Sequence, residues 1–199
     1  MKIAFFGVTG DEEAYLRRQV EGTALLPSAS FFSERLTKED LPAETDFDVI
    51  SVFVDSSVDE TVLTAFPNLR FIMARSVGYD HIDLDETKKR GIIVSNVPSY
   101  GDHTVAEFTL ALILTLSRKI FLSFDRIRET GSFSLEGLRG FDLMGKTLGV
   151  IGTGKIGKKV IERARCFGMN IIAYDAYPDA AYAKSAGFFF SPKEILFPA

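Results

Sequence analysis

Eleven consecutive residues, Thr147-Leu148-Gly149-Val150-Ile151-Gly152-Thr153-Gly154-Lys155-Ile156-Gly157, constrain this chain more than any others. A short apolar run comes first, as in a buried strand. Glycines at G-x-G-x-x-G follow, and then a helical segment opens. The three glycines serve different ends. Gly152 permits the tight turn, Gly154 lets the backbone approach a ligand, and Gly157 lets helix and strand pack closely. The flanks carry the pattern on, with a helix predicted over 155–167 and a strand over Asn170–Tyr174. A strand leading through a helix to a second strand implies a right-handed crossover in a parallel sheet.

The first hundred residues alternate in the same way. Strands are predicted over 2–8, 48–55, 69–74 and 92–97. Helices fit Glu12–Glu21 before Gly22 and Asp83–Arg90 before Gly91, where glycine serves as a C-cap. Ser57-x-x-Glu60 has capping-box spacing. A long helix, apolar almost all round in its first half, is expected over about 104–128. Such a helix is buried between layers or subunits. Thr104-x-x-Glu107 at its start is again a capping-box pattern. Residues 129–146 contain four glycines and form a connecting arm. Beyond it, short elements are expected over 179–186, 188–190 and 192–196.

Composition excludes several classes. Hydrophobic residues make up 46 % and charged residues 25 %, with 23 Lys plus Arg against 27 Asp plus Glu. That is a globular balance with no basic excess for nucleic acid. The longest apolar stretch, 105–116, includes Glu107 and is shorter than the roughly 18 residues a bilayer demands. No membrane association is expected. One cysteine, Cys166, excludes an intrachain disulfide and fits the cytoplasm. Its apolar neighbours suggest an inert core thiol. No Cys/His cluster has metal-ligand spacing.

A glycine turn alone is a weak signal, but Asp175 strengthens it. This carboxylate ends the next strand 23 residues after Gly152, near the expected spacing for an acid that binds a ribose hydroxyl. The helix N-terminus would hold a pyrophosphate. Asp175 would repel a 2′-phosphate by about 4 kcal/mol per unit charge at 4 Å and an effective dielectric near 20. NAD is therefore favoured over NADP. Lys155 is placed to face the pyrophosphate. Lys158, Lys159, Arg163 and Arg165 are expected on a solvated face.

Three motifs together resemble a known family. Arg75-Ser76-Val77-Gly78-Tyr79-Asp80-His81-Ile82-Asp83-Leu84, then Val97-Pro98-Ser99-Tyr100 with Val105-Ala106-Glu107, and the stretch from Leu143 through the glycine turn are similar to the NAD-dependent D-isomer-specific 2-hydroxyacid dehydrogenases. The resemblance covers most of the chain from Asp48 onward. It implies an α/β protein with a flavodoxin-like substrate domain over 1–101, incomplete here. The first half of a Rossmann-type NAD domain follows over 102–199. It implies hydride transfer between NAD(H) and a small D-2-hydroxy acid or 2-keto acid, with lactate and pyruvate the expected pair, in a homodimer. By the same resemblance Val77 and Gly78 hold the substrate carboxylate through backbone N–H groups, Tyr100 stands near the substrate, and Thr104, Lys155, Ile156 and Asp175 contact NAD.

The family's acid–base residues, an Arg, a Glu and a His, match nothing in 1–199. The resemblance places them beyond Ala199, so no catalytic residue is expected in this chain. The histidines present, His81 and His103, fit local polar roles. Only 42 residues follow Gly157, short of two mononucleotide-binding halves. The expectation is a fragment without turnover, in which Val150, Ile151, Ile171 and Ile172 lack part of their cover. A second reading stands beside it: an NAD-binding or protein-interaction module without catalysis. For Gly78 a plain turn glycine also remains open.

Overall fold

The computed structural model describes residues 1–23 and 28–196; the chain end at Ala199 lies outside them. The chain divides into two compact units, Met1–Tyr100 and Gly101–Ala199.

The first unit is built on five parallel strands: β1 Ile3–Phe5, β2 Ala29–Phe31, β3 Val49–Val52, β4 Phe71–Ala74 and β5 Ile93–Ser95. Their order is β2-β1-β3-β4-β5, the doubly wound arrangement whose order reverses between β1 and β3. Helix α1 (Gly10–Val20) connects β1 to β2, while α2 (Glu60–Ala65) and α3 (Leu84–Lys89) carry the chain from β3 to β5. Because the two runs proceed toward opposite edges through right-handed crossovers, α1 and the α2–α3 pair cover opposite faces.

Strand alternation sorts the core accordingly. Ile3, Phe5 and Val49 pack with Leu16 of α1. Ala4, Phe6, Ile50 and Val52 point the other way and pack with Val62 and Leu63 of α2. Adjacent aromatics tie the sheet edge: Phe5 stacks on Phe31 at 5.0 Å and Phe6 on Phe32 at 4.8 Å.

Helix starts in this unit follow side-chain capping. Thr9, Asp59 and Asp83 accept from the backbone N–H groups of Glu12, Val62 and Glu86. The capping box expected at Ser57 is not formed. Ser57 donates its own backbone N–H to the Leu36 carbonyl at 2.8 Å, and the cap falls two residues later on Asp59.

The second unit opens with α4 (Asp102–Ser117) and α5 (Ile120–Thr130). The single long helix expected over 104–128 is broken. Lys119 sits in the left-handed region at φ 56°. The Ser117 carbonyl, which another helical turn would engage, instead accepts from Phe141 N–H at 3.0 Å. The arm therefore takes the bond that would have continued the helix. The burial expected of this helix is also partial: Ala106 and Leu110 are buried, whereas Val105, Phe108, Leu112 and Leu116 are exposed.

The parallel strands β6 (Thr147–Ile151), β7 (Asn170–Tyr174) and β8 (Phe189–Phe190) then form a sheet in the order β6-β7-β8. Helix α6 (Lys155–Cys166) and α7 (Ala180–Ala186) are its crossovers, and α8 (Lys193–Leu196) follows. This is one βαβαβ mononucleotide-binding half. Ile161 and Ala164 of α6 pack on Val150, Ile171 and Ala173, while Val160 meets Ala106 and Leu110 of α4. Of the strand residues expected to lack cover, Val150 and Ile171 are buried, Ile172 is half-buried and Ile151 is exposed. Cys166 is exposed, not core. The buried face of α6 runs through 160, 161 and 164, and Cys166 falls outside that stripe. Among the described residues no helix is long and apolar enough to cross a membrane.

Candidate functional site

Two half-sites stand out, one in each unit. In the second unit, β6 ends at Ile151 and the chain reverses at Gly152, whose φ of +85° is one that L side chains rarely adopt. Gly157 is required for a different reason. A Cβ there would lie 2.0 Å from the Gly152 carbonyl oxygen, so helix and turn touch only because the side chain is absent. Gly154 is the N-cap residue of α6, no side chain caps the helix, and a Cβ at Gly154 would meet nothing within 4 Å. The open approach to the helix start and its partial positive charge suit an anion. Lys155 and Ile156 follow in the first turn, both exposed.

Asp175 is brought to this turn by the pairing of Ile151 with Tyr174. Its Oδ2 accepts from Thr153 N–H at 2.6 Å and from the Thr153 hydroxyl at 2.8 Å, and its Oδ1 accepts from Tyr177 N–H at 2.9 Å. The Tyr177 N–H, then the Thr153 N–H and hydroxyl, hold its pKa at about 2. Each donor stabilises the ionised form. The folded pKa lies below the usual 3.8, so the ionised group favours the folded state above about pH 3.8. That contribution is lost as pH falls through about 2. An NMR titration of the Asp175 carboxyl carbon is expected to show a midpoint near 2. A midpoint near 3.8 would contradict the three-donor arrangement.

Thr153 does not stand out in the sequence pattern. It is nearly fully buried and joins the glycine turn to Asp175. A hydroxyl residue directly after the first glycine is the one signal the sequence holds for it.

Thr104 lies inside the first turn of α4 and is exposed. The capping box expected with Glu107 is absent, since Gly101 is the N-cap and no side chain caps the helix. Glu107 instead pairs with Arg163 of α6 at 3.0 Å, and His103 Nδ1 lies 3.0 Å from the same guanidinium. Arg163 therefore joins two helices and is not part of a merely solvated face. Lys158 pairs with Asp179 and lies over the Tyr182 ring.

In the first unit the half-site is the turn after β4. Arg75 N–H donates to the Val52 carbonyl. The Arg75 guanidinium fills the crevice where strand order reverses, donating to the carbonyls of Phe6, Gly7 and Ser51, to the Ser51 hydroxyl and to Glu12. Beyond it the carbonyls of Ser76, Val77 and Gly78 are all engaged. They accept from Val97 N–H at 3.0 Å, Asn96 Nδ2 at 2.7 Å and the Ser76 hydroxyl at 2.6 Å. Among the described residues no acceptor engages the N–H of Val77 or Gly78. Tyr100 is exposed at the end of this unit.

His81 follows the same turn. Its Nε2 is buried without a hydrogen-bond partner among the described residues, and burial lowers its pKa against the fields of Asp80 and Asp55. Asp83 caps α3 rather than meeting the His81 ring, and Asp80 acts on that ring through its charge. No group of three or more His, Cys, Asp and Glu among the described residues is placed to hold a metal ion.

A five-stranded doubly wound unit followed along the chain by a glycine-turn mononucleotide half defines a class of two-unit α/β proteins. The family model for the catalytic domain of D-isomer specific 2-hydroxyacid dehydrogenases matches residues 5–192, and the chain belongs to this family. It is 40 % identical over 164 residues to a 2-hydroxyacid dehydrogenase homolog of Zymomonas mobilis, covering 81 % of this chain and 49 % of that protein. It is 35 % identical over 183 residues to the D-lactate dehydrogenase of Escherichia coli, covering 91 % and 55 %. The chain thus spans about half the length of these relatives.

Among solved structures, apo D-lactate dehydrogenase from Escherichia coli superposes with a TM-score of 0.82 at 34 % identity, covering 99 % of this chain and 62 % of that one. D-lactate dehydrogenase from Aquifex aeolicus, complexed with NAD and lactic acid, gives 0.86 at 31 % identity, covering 98 % and 57 %.

Proposed function

We propose that this chain carries one half of an NAD site and a carboxylate-binding turn of a D-2-hydroxyacid dehydrogenase. The whole protein would transfer hydride between NAD(H) and a small 2-keto or D-2-hydroxy acid, with pyruvate and lactate the leading pair. The observation that carries this reading is Asp175 fixed to the glycine turn through Thr153. In that role the α6 N-terminus with Gly152, Gly154, Lys155, Ile156 and Gly157 receives the pyrophosphate. Asp175 accepts from the adenosine ribose, and its negative charge disfavours a 2′-phosphate. Bound NAD supplies the hydride acceptor. Thr104 is a further cofactor contact.

Val77 and Gly78 offer their N–H groups to the substrate carboxylate, and Tyr100 lines the substrate. The acid–base residues are assigned to the whole protein outside residues 1–199, because the His81 Nε2 is buried and His103 is engaged with Arg163.

One calorimetric experiment with a companion assay tests this reading. The 199-residue chain is titrated with NAD, and Asp175→Ala is expected to weaken binding about 10- to 100-fold, the loss of a charged hydrogen-bond partner. The same sample is expected to oxidise no NADH with pyruvate. Equal affinity in the variant would remove the ribose role, and measured turnover would contradict the assignment of acid–base chemistry elsewhere.

The alternative, a nucleotide-binding or interaction module without catalysis, has the apolar surface of α5 and the arm in its favour. Ile120, Phe121, Phe124, Phe133 and Leu135 are all exposed. We assign that surface to a homodimer of the whole protein, which a monomeric sedimentation coefficient would contradict. A cytoplasmic location fits the single cysteine.

A further inference from the structure

We infer that Asn96 is a positioning residue that aims the Gly78 N–H at the substrate carboxylate, with the Ser76 hydroxyl closing the turn behind it. The inference rests on the carboxylate role proposed for Val77 and Gly78 and adds the residue that makes the role possible.

In a trans peptide the carbonyl of one residue and the N–H of the next point in opposite directions, and no peptide bond among the described residues is cis. The Ser76 carbonyl faces Val97 N–H, so the Val77 N–H points away from the end of β5. The Val77 carbonyl faces Asn96 Nδ2 at 2.7 Å, so the Gly78 N–H points away from it too. The Gly78 carbonyl is drawn back onto the Ser76 hydroxyl at 2.6 Å, and Ser76 itself is buried.

Three successive carbonyls are thus retained by the protein, and the two N–H groups between them are left for an acceptor. Backbone bonding orients the first of those groups. The second depends on a side chain, Asn96, at the exit of β5. A carboxylate with two oxygens suits two adjacent donors whose directions are fixed beforehand, since no ordering remains to be done on binding. Asn is suited to this position because its amide donates to a carbonyl, which an ionised carboxylate of the same shape cannot do.

The test uses the 199-residue chain labelled with 15N, with pyruvate as the probe. In the unaltered chain the Val77 and Gly78 amides are expected to shift on titration. Asn96→Ala and the isosteric Asn96→Asp are expected to weaken pyruvate binding about 3- to 10-fold or more, the effect of one hydrogen bond. Both are expected to lower the Gly78 N–H order parameter from about 0.85 toward 0.6, while strand amides of β1, β3 and β4 keep their shifts. The aspartate variant separates donation from shape and serves if the alanine variant folds poorly. Unchanged affinity and an unchanged Gly78 order parameter in Asn96→Asp overturn the assignment. Silent Val77 and Gly78 amides in the unaltered chain overturn the carboxylate reading itself, a result that no variant is needed to see.

Discussion

Gly157→Ala is expected to abolish NAD binding and to destabilise the second unit by about 2–3 kcal/mol, the upper range for overpacking a tight contact. The added Cβ would stand 2.0 Å from the Gly152 carbonyl oxygen, with the Gly152 carbonyl carbon at 3.0 Å. Neither atom is the end of a flexible side chain, so the helix and the turn must separate. That separation strains Gly152 at its positive φ. It also pulls Thr153 from Asp175, because Thr153 lies between the two glycines and supplies two of the carboxylate's donors. A urea titration followed on the β6 and β7 amides, with calorimetry for NAD, measures both losses. Native-like stability with NAD affinity intact would contradict the close packing.

Arg75→Ala is expected to cost the first unit about 3 kcal/mol or more. The guanidinium, only 16 % exposed, serves the Phe6, Gly7 and Ser51 carbonyls together. Alanine leaves the Phe6 and Gly7 carbonyls without their donor, while the Ser51 carbonyl keeps the Phe6 N–H at 2.9 Å, and each buried unpaired group costs about 1–3 kcal/mol. The Glu12 contact adds less, because that carboxylate is partly exposed. Arg75→Lys should recover only a fraction, since one ammonium cannot reproduce a planar fork reaching two strand ends. The urea midpoint of the β1 and β3 amides reports this loss, and a shift too small to measure would contradict it. The Val77–Gly78 turn begins two residues later, so the same variant is expected to loosen it.

Local chemistry made much of this molecule legible. The glycine turn and the placement of Asp175 beside it were readable because both depend on residues within one βαβ unit. The helix start at Asp83 follows the same logic. What escaped was set by distant partners. The break at Lys119 comes from Phe141 N–H occupying the Ser117 carbonyl, a contact 24 residues away that no helical periodicity reveals.

Ser57 and Asp59 both fit a cap before α2. Leu36, far off in sequence, claimed the Ser57 N–H and left the cap to Asp59. Glu107 was drawn to Arg163 across the α4–α6 contact rather than to its own helix start. Asn96 and Arg75 carried no local pattern, for their acceptors are carbonyls on other loops and strands. Cys166 was a different kind of miss, because the spacing of Val160, Ile161 and Ala164 already placed it on the outer side of α6.

The central claim is that residues 152–157 and Asp175 form one half of an NAD site. A 15N–1H titration of the 199-residue chain with NAD tests it most directly. The expected result is a saturable set of shifts confined to the amides of Gly152–Gly157 and Asp175–Tyr177, with NADP producing the same shifts only at far higher concentration. Amides of the glycine turn that stay in place while NAD saturates, or that respond equally to NADP, would contradict it.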